Sequence, residues 1–244
     1  MVPTLPYEIH MTVAEGQAEL FTETCRQLGV KPLLIVAQLK AEDEETLNNL
    51  QTSSIIKGSW FDVRQEMDRI RHGLEKAGFT VSREKVETSP CHPDAPSVER
   101  NKLDMPLGCY YECHIPVIME ARGDYIPRYD ELKEITERHK AHLSRNAFKE
   151  QENGQQLIFM ITYRDADMTL EAFTWAKEKL EDELYRESFD TDSDSFAQIE
   201  FACFDSDQSQ DDKWLHKGPP LNFNTKPSRY GFNDHIGSGT SDLG

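Results

Sequence analysis

Tyr7-Glu8-Ile9-His10-Met11-Thr12-Val13 and Tyr111-Glu112-Cys113-His114-Ile115-Pro116-Val117 decide how this chain is read. The second stretch stands 104 residues after the first, and four of the seven positions match: Tyr, Glu, His and Val. Each alternates apolar and polar residues, the period of a strand with one buried face. Tyr7, Ile9, Met11 and Val13 fall on one face, with Glu8, His10 and Thr12 on the other. In the second stretch Glu112 and His114 take the polar face.

Working outward, the spacing of Ala18, Leu20, Phe21, Cys25 and Leu28 predicts a helix stopped by Gly29. The apolar run Leu33 to Leu39 suits a buried strand, and Thr52 to Lys57 a short extra one. Ser59 is placed to cap a helix through Ala77, with Phe61, Val63, Met67, Ile70 and Leu74 on one face. Thr80 to Glu87 closes the first half as a strand. In the second half, Tyr110 to Met119 reads as a strand and Tyr129 to Phe148 as a helix. Leu157 to Tyr163 follows as a strand, then a helix capped by Asp167 or Thr169, then a strand over Phe196 to Phe204. Val86-Glu87 matches Ile199-Glu200 at the ends of the two halves.

The expected fold is therefore α+β: two ferredoxin-like (split βαβ) lobes from an internal duplication, with the helices on one face of each sheet. The lobes span residues 1–88 and 109–205, joined by a Pro-rich linker over 89–108 that carries Pro90, Pro93, Pro96 and Pro106. An acidic, polar tail over 206–244 is expected to be mostly extended, with Trp214 and Leu215 able to dock on the body.

Composition narrows the function classes. A net charge of -17 repels phosphate backbones and anionic membranes, which argues against duplex nucleic acid and a membrane as partners. Apolar content of 37% with twelve Phe supports a real core, while a mean hydropathy of -0.67 marks a polar surface. The five Cys form no CxxC pair, no leader or 18-residue apolar run is evident, and a reducing, cytoplasmic setting is expected. No P-loop, GxSxG or GxGxxG is present, and no cofactor is expected.

If the open sheet faces of the two lobes meet, the polar sides of their strands line a cleft. Glu8, His10, Thr12, Arg83, Lys85 and Glu87 would come from one lobe, and Glu112, His114, Thr162, Arg164, Gln198 and Glu200 from the other. Arg145 and His142 could reach it from a helix end. Arg offers a planar pair of donors, so a small anionic or phosphorylated ligand is the expected partner, with Arg83, Lys85, Arg145, Arg164 and His142 as its binding groups.

His10-Met11-Thr12-Val13 and His114-Ile115-Pro116-Val117 resemble the paired His-apolar-Ser/Thr-apolar motif of the 2H phosphoesterase superfamily. The resemblance implies metal-independent phosphodiester hydrolysis, with His10 and His114 as general base and acid and Thr12 holding a phosphate oxygen. Pro116 departs from the motif, having neither a hydroxyl nor an N–H. Arg83 to Glu87, His142 to Ala147 and Phe204 to Leu215 look like segments of a bacterial, fungal and plant family with no established activity.

Other readings stay open beside this one. His10 and His114 could bridge strand and loop in a purely structural role, or bind a divalent ion together with Glu87 and Glu200. A duplicated module could also serve as a non-catalytic interaction protein. Oligomeric state and substrate are not legible.

Overall fold

Both matched stretches are strands, and each lies beside a neighbour that brings a second glutamate to its polar face. The computed structural model describes residues 6–14, 16–38, 46–92, 95, 108–120, 125–146, 156–191 and 199–208. The linker reading rests mostly, and the tail reading almost wholly, on segments outside these residues, as does Trp214.

The first half runs β1 (Pro6–Val13), α1 (Ala18–Leu28), β2 (Lys31–Gln38), β3 (Thr46–Lys57), α2 (Trp60–Lys76) and β4 (Val81–Thr88). The second runs β5 (Tyr110–Glu120), α3 (Tyr125–Arg138), β6 (His142–Asn146), β7 (Gln156–Asp165), α4 (Leu170–Arg186), a two-residue β8 (Asp190–Thr191) and β9 (Ile199–Asp205). The class is α+β, with four helices on a large antiparallel sheet among the described residues. No helix among the described residues is long and apolar enough to cross a membrane.

Local chemistry fixes the helix ends. Ser59 caps α2 through a capping box with Asp62, its Oγ accepting the Asp62 N–H. Gly29 ends α1 at φ 69, a left-handed conformation that glycine adopts without Cβ strain. Thr169 is the cap of α4, accepting from the Ala172 N–H at 3.2 Å.

The strand order within the first half is β2-β3-β1-β4, and within the second β6-β7-β5-β9. The halves join at both edges: β2 pairs β6, and β4 pairs β9. Eight antiparallel pairings thus run β1-β3-β2-β6-β7-β5-β9-β4 and back to β1, a closed barrel. Closure removes unpaired edges, and an eight-stranded interior is just wide enough for side chains or one small ligand.

The helices cover the outside of this ring over two separate apolar clusters. Ile9, Met11 and Val86 pack with Phe21, Val63, Met67, Ile70 and Leu74 in one. Tyr111, Cys113 and Ile115 pack with Leu132, Ile135, Phe173 and Leu180 in the other. Burial of each large apolar side chain contributes about 1.5–3 kcal/mol. The alternation read from the two stretches holds, so their polar residues face the barrel interior.

One expectation is corrected. The helix expected over Tyr129 to Phe148 ends at Arg138, and His142 to Asn146 form strand β6. Lys140 adopts φ 56, and the Ala141 N–H donates back to the Thr136 carbonyl, which turns the chain out of the helix. The spacing of Leu132, Ile135 and Leu143 imitated one long helix, but Leu143 belongs to a strand whose pairing with β2 and β7 closes the ring. The second half therefore has its fourth strand as well.

Candidate functional site in the barrel interior

Register places the key residues. On β1 and β4, Glu8 stands opposite Glu87, His10 opposite Lys85 and Thr12 opposite Arg83. On β5 and its neighbours, Glu112 stands opposite Glu200 of β9 and Arg164 of β7, and His114 opposite Thr162. Directly paired residues share a sheet face, so all of these point inward. Glu87 and Glu200 are thus equivalent: each opposes the glutamate two residues before a histidine.

A continuous run of polar contacts links the two histidines. His10 Nε2 lies 2.9 Å from Glu87 Oε2 and 3.5 Å from Glu8 Oε1. The Lys85 ammonium lies 2.7 Å from Glu87 and 3.3 Å from Glu112. His114 Nε2 lies 2.7 Å from Glu112 Oε1 and 4.0 Å from Glu200 Oε2. Arg164 pairs with both Glu112 oxygens, Nη2 at 3.1 Å, and its guanidinium lies over the Tyr110 ring at 5.6 Å.

Next to this run, Arg83 forms a two-point ion pair with Asp205, and Tyr110 donates to the same carboxylate at 2.8 Å. Asp205, Glu112 and Glu87 are nearly inaccessible. Among the described residues of this run, His114, Glu200 and Glu8 are the more open, with side chains 34%, 25% and 21% exposed, and we call them its mouth.

The charges follow from these contacts. Burial opposes ionisation of Glu87, but the Lys85 ammonium and the His10 bond hold its carboxyl down at about 2. Glu112 is likewise held well below its ordinary value despite burial, by Arg164 and Lys85. Burial alone would lower the pKa of His10; Glu8 and Glu87 outweigh it and raise the value. Glu200 goes the other way: burial and the charges of Glu87, Glu8 and Glu112 push it well above the carboxylate range.

The second nitrogen of each imidazole distinguishes the two histidines. His10 Nδ1 is 3.1 Å from the Thr52 carbonyl, which only accepts, so Nδ1 carries a proton. Nε2 faces Glu87 and Glu8, which favour a second proton there and so the imidazolium form of His10. His114 Nδ1 is 2.9 Å from the Thr162 hydroxyl, which can donate or accept. That contact therefore holds whether Nδ1 donates or accepts.

Of the residues expected at the site, His10, His114, Lys85 and Arg164 come together in the linked run. Arg83 lies beside it, paired with Asp205, and Thr12 is buried opposite Arg83 with its carbonyl accepting from Ser82. His142 lies on β6 opposite Thr162, across β7 from His114. The Arg145 backbone pairs with Val36 and Phe159, while its side chain lies outside the described residues. Arg83, Lys85 and Arg164 each meet a carboxylate inside the protein. Glu8, Glu87, Glu112 and Glu200 were legible as the polar strand face but not as the groups that lie against the two histidines.

Glu87, Glu112 and His114 place potential metal-ligating atoms within 4.8 Å of one another. The Lys85 ammonium already stands between the two carboxylates and supplies the positive charge, so we do not assign the three as metal ligands.

No family model matches the chain, and no curated protein does. Among solved structures, one assigned as a chlorite dismutase aligns over 82% of this chain and 94% of its own, at 12% identity and a TM-score of 0.26. A likeness of that size carries nothing across to this chain.

Proposed function

We propose that the barrel mouth is an acid–base site for a small ligand, with His114 as the proton-exchanging group and His10 as a fixed internal charge. The difference between their Nδ1 partners, a hydroxyl for His114 and a carbonyl for His10, carries this reading. A group that changes protonation while keeping its position is what general acid–base catalysis asks for. The exposure of His114 supports contact with a ligand from solvent.

Phosphodiester hydrolysis, expected from the two histidine stretches, is one form of such chemistry. It calls for a cation available to the phosphate, and Arg83, Lys85 and Arg164 are each engaged with carboxylates. Acid–base chemistry on an uncharged ligand is the form the charges favour. The common strand order of the halves and the equivalence of Glu87 with Glu200 support an origin by duplication of a ferredoxin-like unit. Five free thiols support a reducing, cytoplasmic setting.

The test is a two-arm turnover screen of the full chain. One arm holds cyclic and linear phosphodiesters, and the other uncharged esters and enolisable carbonyl compounds followed by solvent deuterium exchange. Turnover in the uncharged arm that disappears in His114→Ala, with the melting temperature kept, supports the proposal. Turnover confined to the phosphodiester arm would replace the ligand class, and none in either arm would reject the acid–base site.

A further inference from the structure

Four interior carboxyl groups, Glu8, Glu87, Glu112 and Glu200, face three committed cations. Lys85 of β4 lies between Glu87 and Glu112. Arg164 of β7 is on Glu112, and His10 of β1 is on Glu87 and Glu8. A further interior cation, Arg83 of β4, is matched by Asp205 of β9. Glu200 stands opposite Glu112 and has the weakest claim on a cation. Its one ion-pair contact among the described residues is His114, at 4.0 Å.

We propose that Glu200 is the proton donor of the mouth, a neutral carboxylic acid that protonates the ligand beside His114. The proposal rests on the acid–base reading above and adds the acid to it. Glu200 is open enough to touch a ligand. Burial favours the protonated form, and the charges of Glu87, Glu8 and Glu112 around it add to that. In the transfer the Glu200 O–H bond breaks and a bond from that proton to a ligand oxygen or nitrogen forms. The electron pair stays on the carboxylate, which His114 faces. Water at the mouth returns the proton.

Its equivalent, Glu87, cannot take this role. Glu87 is inaccessible and lies between His10 and Lys85. The equivalent positions are thus one ionised glutamate that fixes a charge and one neutral glutamate at the opening. Environments that push paired carboxyl groups apart in this way separate acid from base.

The experiment is infrared spectroscopy of the full chain at neutral pH, subtracting Glu200→Gln from wild type, with turnover measured on both. The expected result is a neutral carboxyl C=O band that vanishes in Glu200→Gln, with turnover lowered by about 10²-fold or more. No such band, a band that survives the substitution, or unchanged turnover overturns the proposal. If turnover is lost in His114→Ala and unchanged in Glu200→Gln, the donor assignment fails while the acid–base reading stands. A band without turnover from any substrate overturns the donor role together with that reading. Glu200→Leu, which fills similar space without polar atoms, repeats the band test if the Gln variant does not fold.

Discussion

His10 and His114 occupy equivalent strand positions and each faces two glutamates, yet they meet them in opposite order. His10 lies against the glutamate of the neighbouring strand, Glu87, and farther from Glu8 of its own. His114 lies against Glu112 of its own strand and farther from Glu200 of the neighbour. Lys85 accounts for the difference, because it draws Glu87 and Glu112 toward one another from the two halves. A site built on a symmetrical plan thereby acquires an inner, ionised side and an outer one open to solvent.

Removing that lysine takes one cation from two buried carboxylates, leaving Glu87 with His10 and Glu112 with Arg164. Lys85→Met is expected to cost about 3 kcal/mol, because each carboxylate keeps its desolvation penalty with less positive charge to offset it. Urea denaturation measures the loss. Lys85→Met combined with Glu112→Gln should recover part of it, and a double variant no more stable than the single one would disprove the bridging role.

The Thr162 hydroxyl can be tested apart from the fold. Thr162→Val keeps the shape and removes the hydroxyl that meets His114 Nδ1. Turnover in the screen above should fall by about 10-fold or more, while Thr162→Ser keeps most of it. Equal effects of Val and Ser would show that the side chain serves packing alone.

Stability should depend on pH from both sides. The folded-state pKa of Glu87 is depressed from 4.5 to about 2, so its contribution is present above 4.5 and is lost as the pH falls from there toward 2. The folded-state pKa of His10 is raised above 6.5, so its contribution is complete below 6.5 and is lost as the pH rises through the folded value. Glu200, also raised, loses its contribution as the pH rises above 4.5. Glu200→Gln should therefore be more stable than wild type in alkaline solution and level the decline on that side. Unfolding free energies across the range decide this; parallel curves for the two proteins would contradict it.

Divalent ions should find the interior closed to them. Zinc, manganese or a chelator is expected to leave the melting temperature unchanged, whereas a rise with any one ion would mean that Lys85 yields its place.

The outer helix-facing core and the polar inner face were both legible, because period-two alternation in Tyr7 to Val13 and Tyr111 to Val117 states them directly. Closure of the barrel was not. It depends on β2 meeting β6 and β4 meeting β9, and hydrogen bonds between backbones leave no mark on side-chain patterning. Strand β6 was hidden for a second reason: Lys140 holds a positive φ that sequence reading associates with glycine. At the site, the residue types were visible, but their commitments were not. Nothing in the spacing of Arg164, Lys85 and Glu112 says that the three meet, so cations that looked available to an anion are matched within the protein.

The ring of pairings has a corollary for the chain cut in two. Severed between Ser89 and Cys109, each half would expose two raw strand edges, β2 and β4 on one fragment and β6 and β9 on the other. Each pair of edges is built to accept the other, so the fragments should reassemble when mixed. Either fragment alone would be left to seek a second copy of itself.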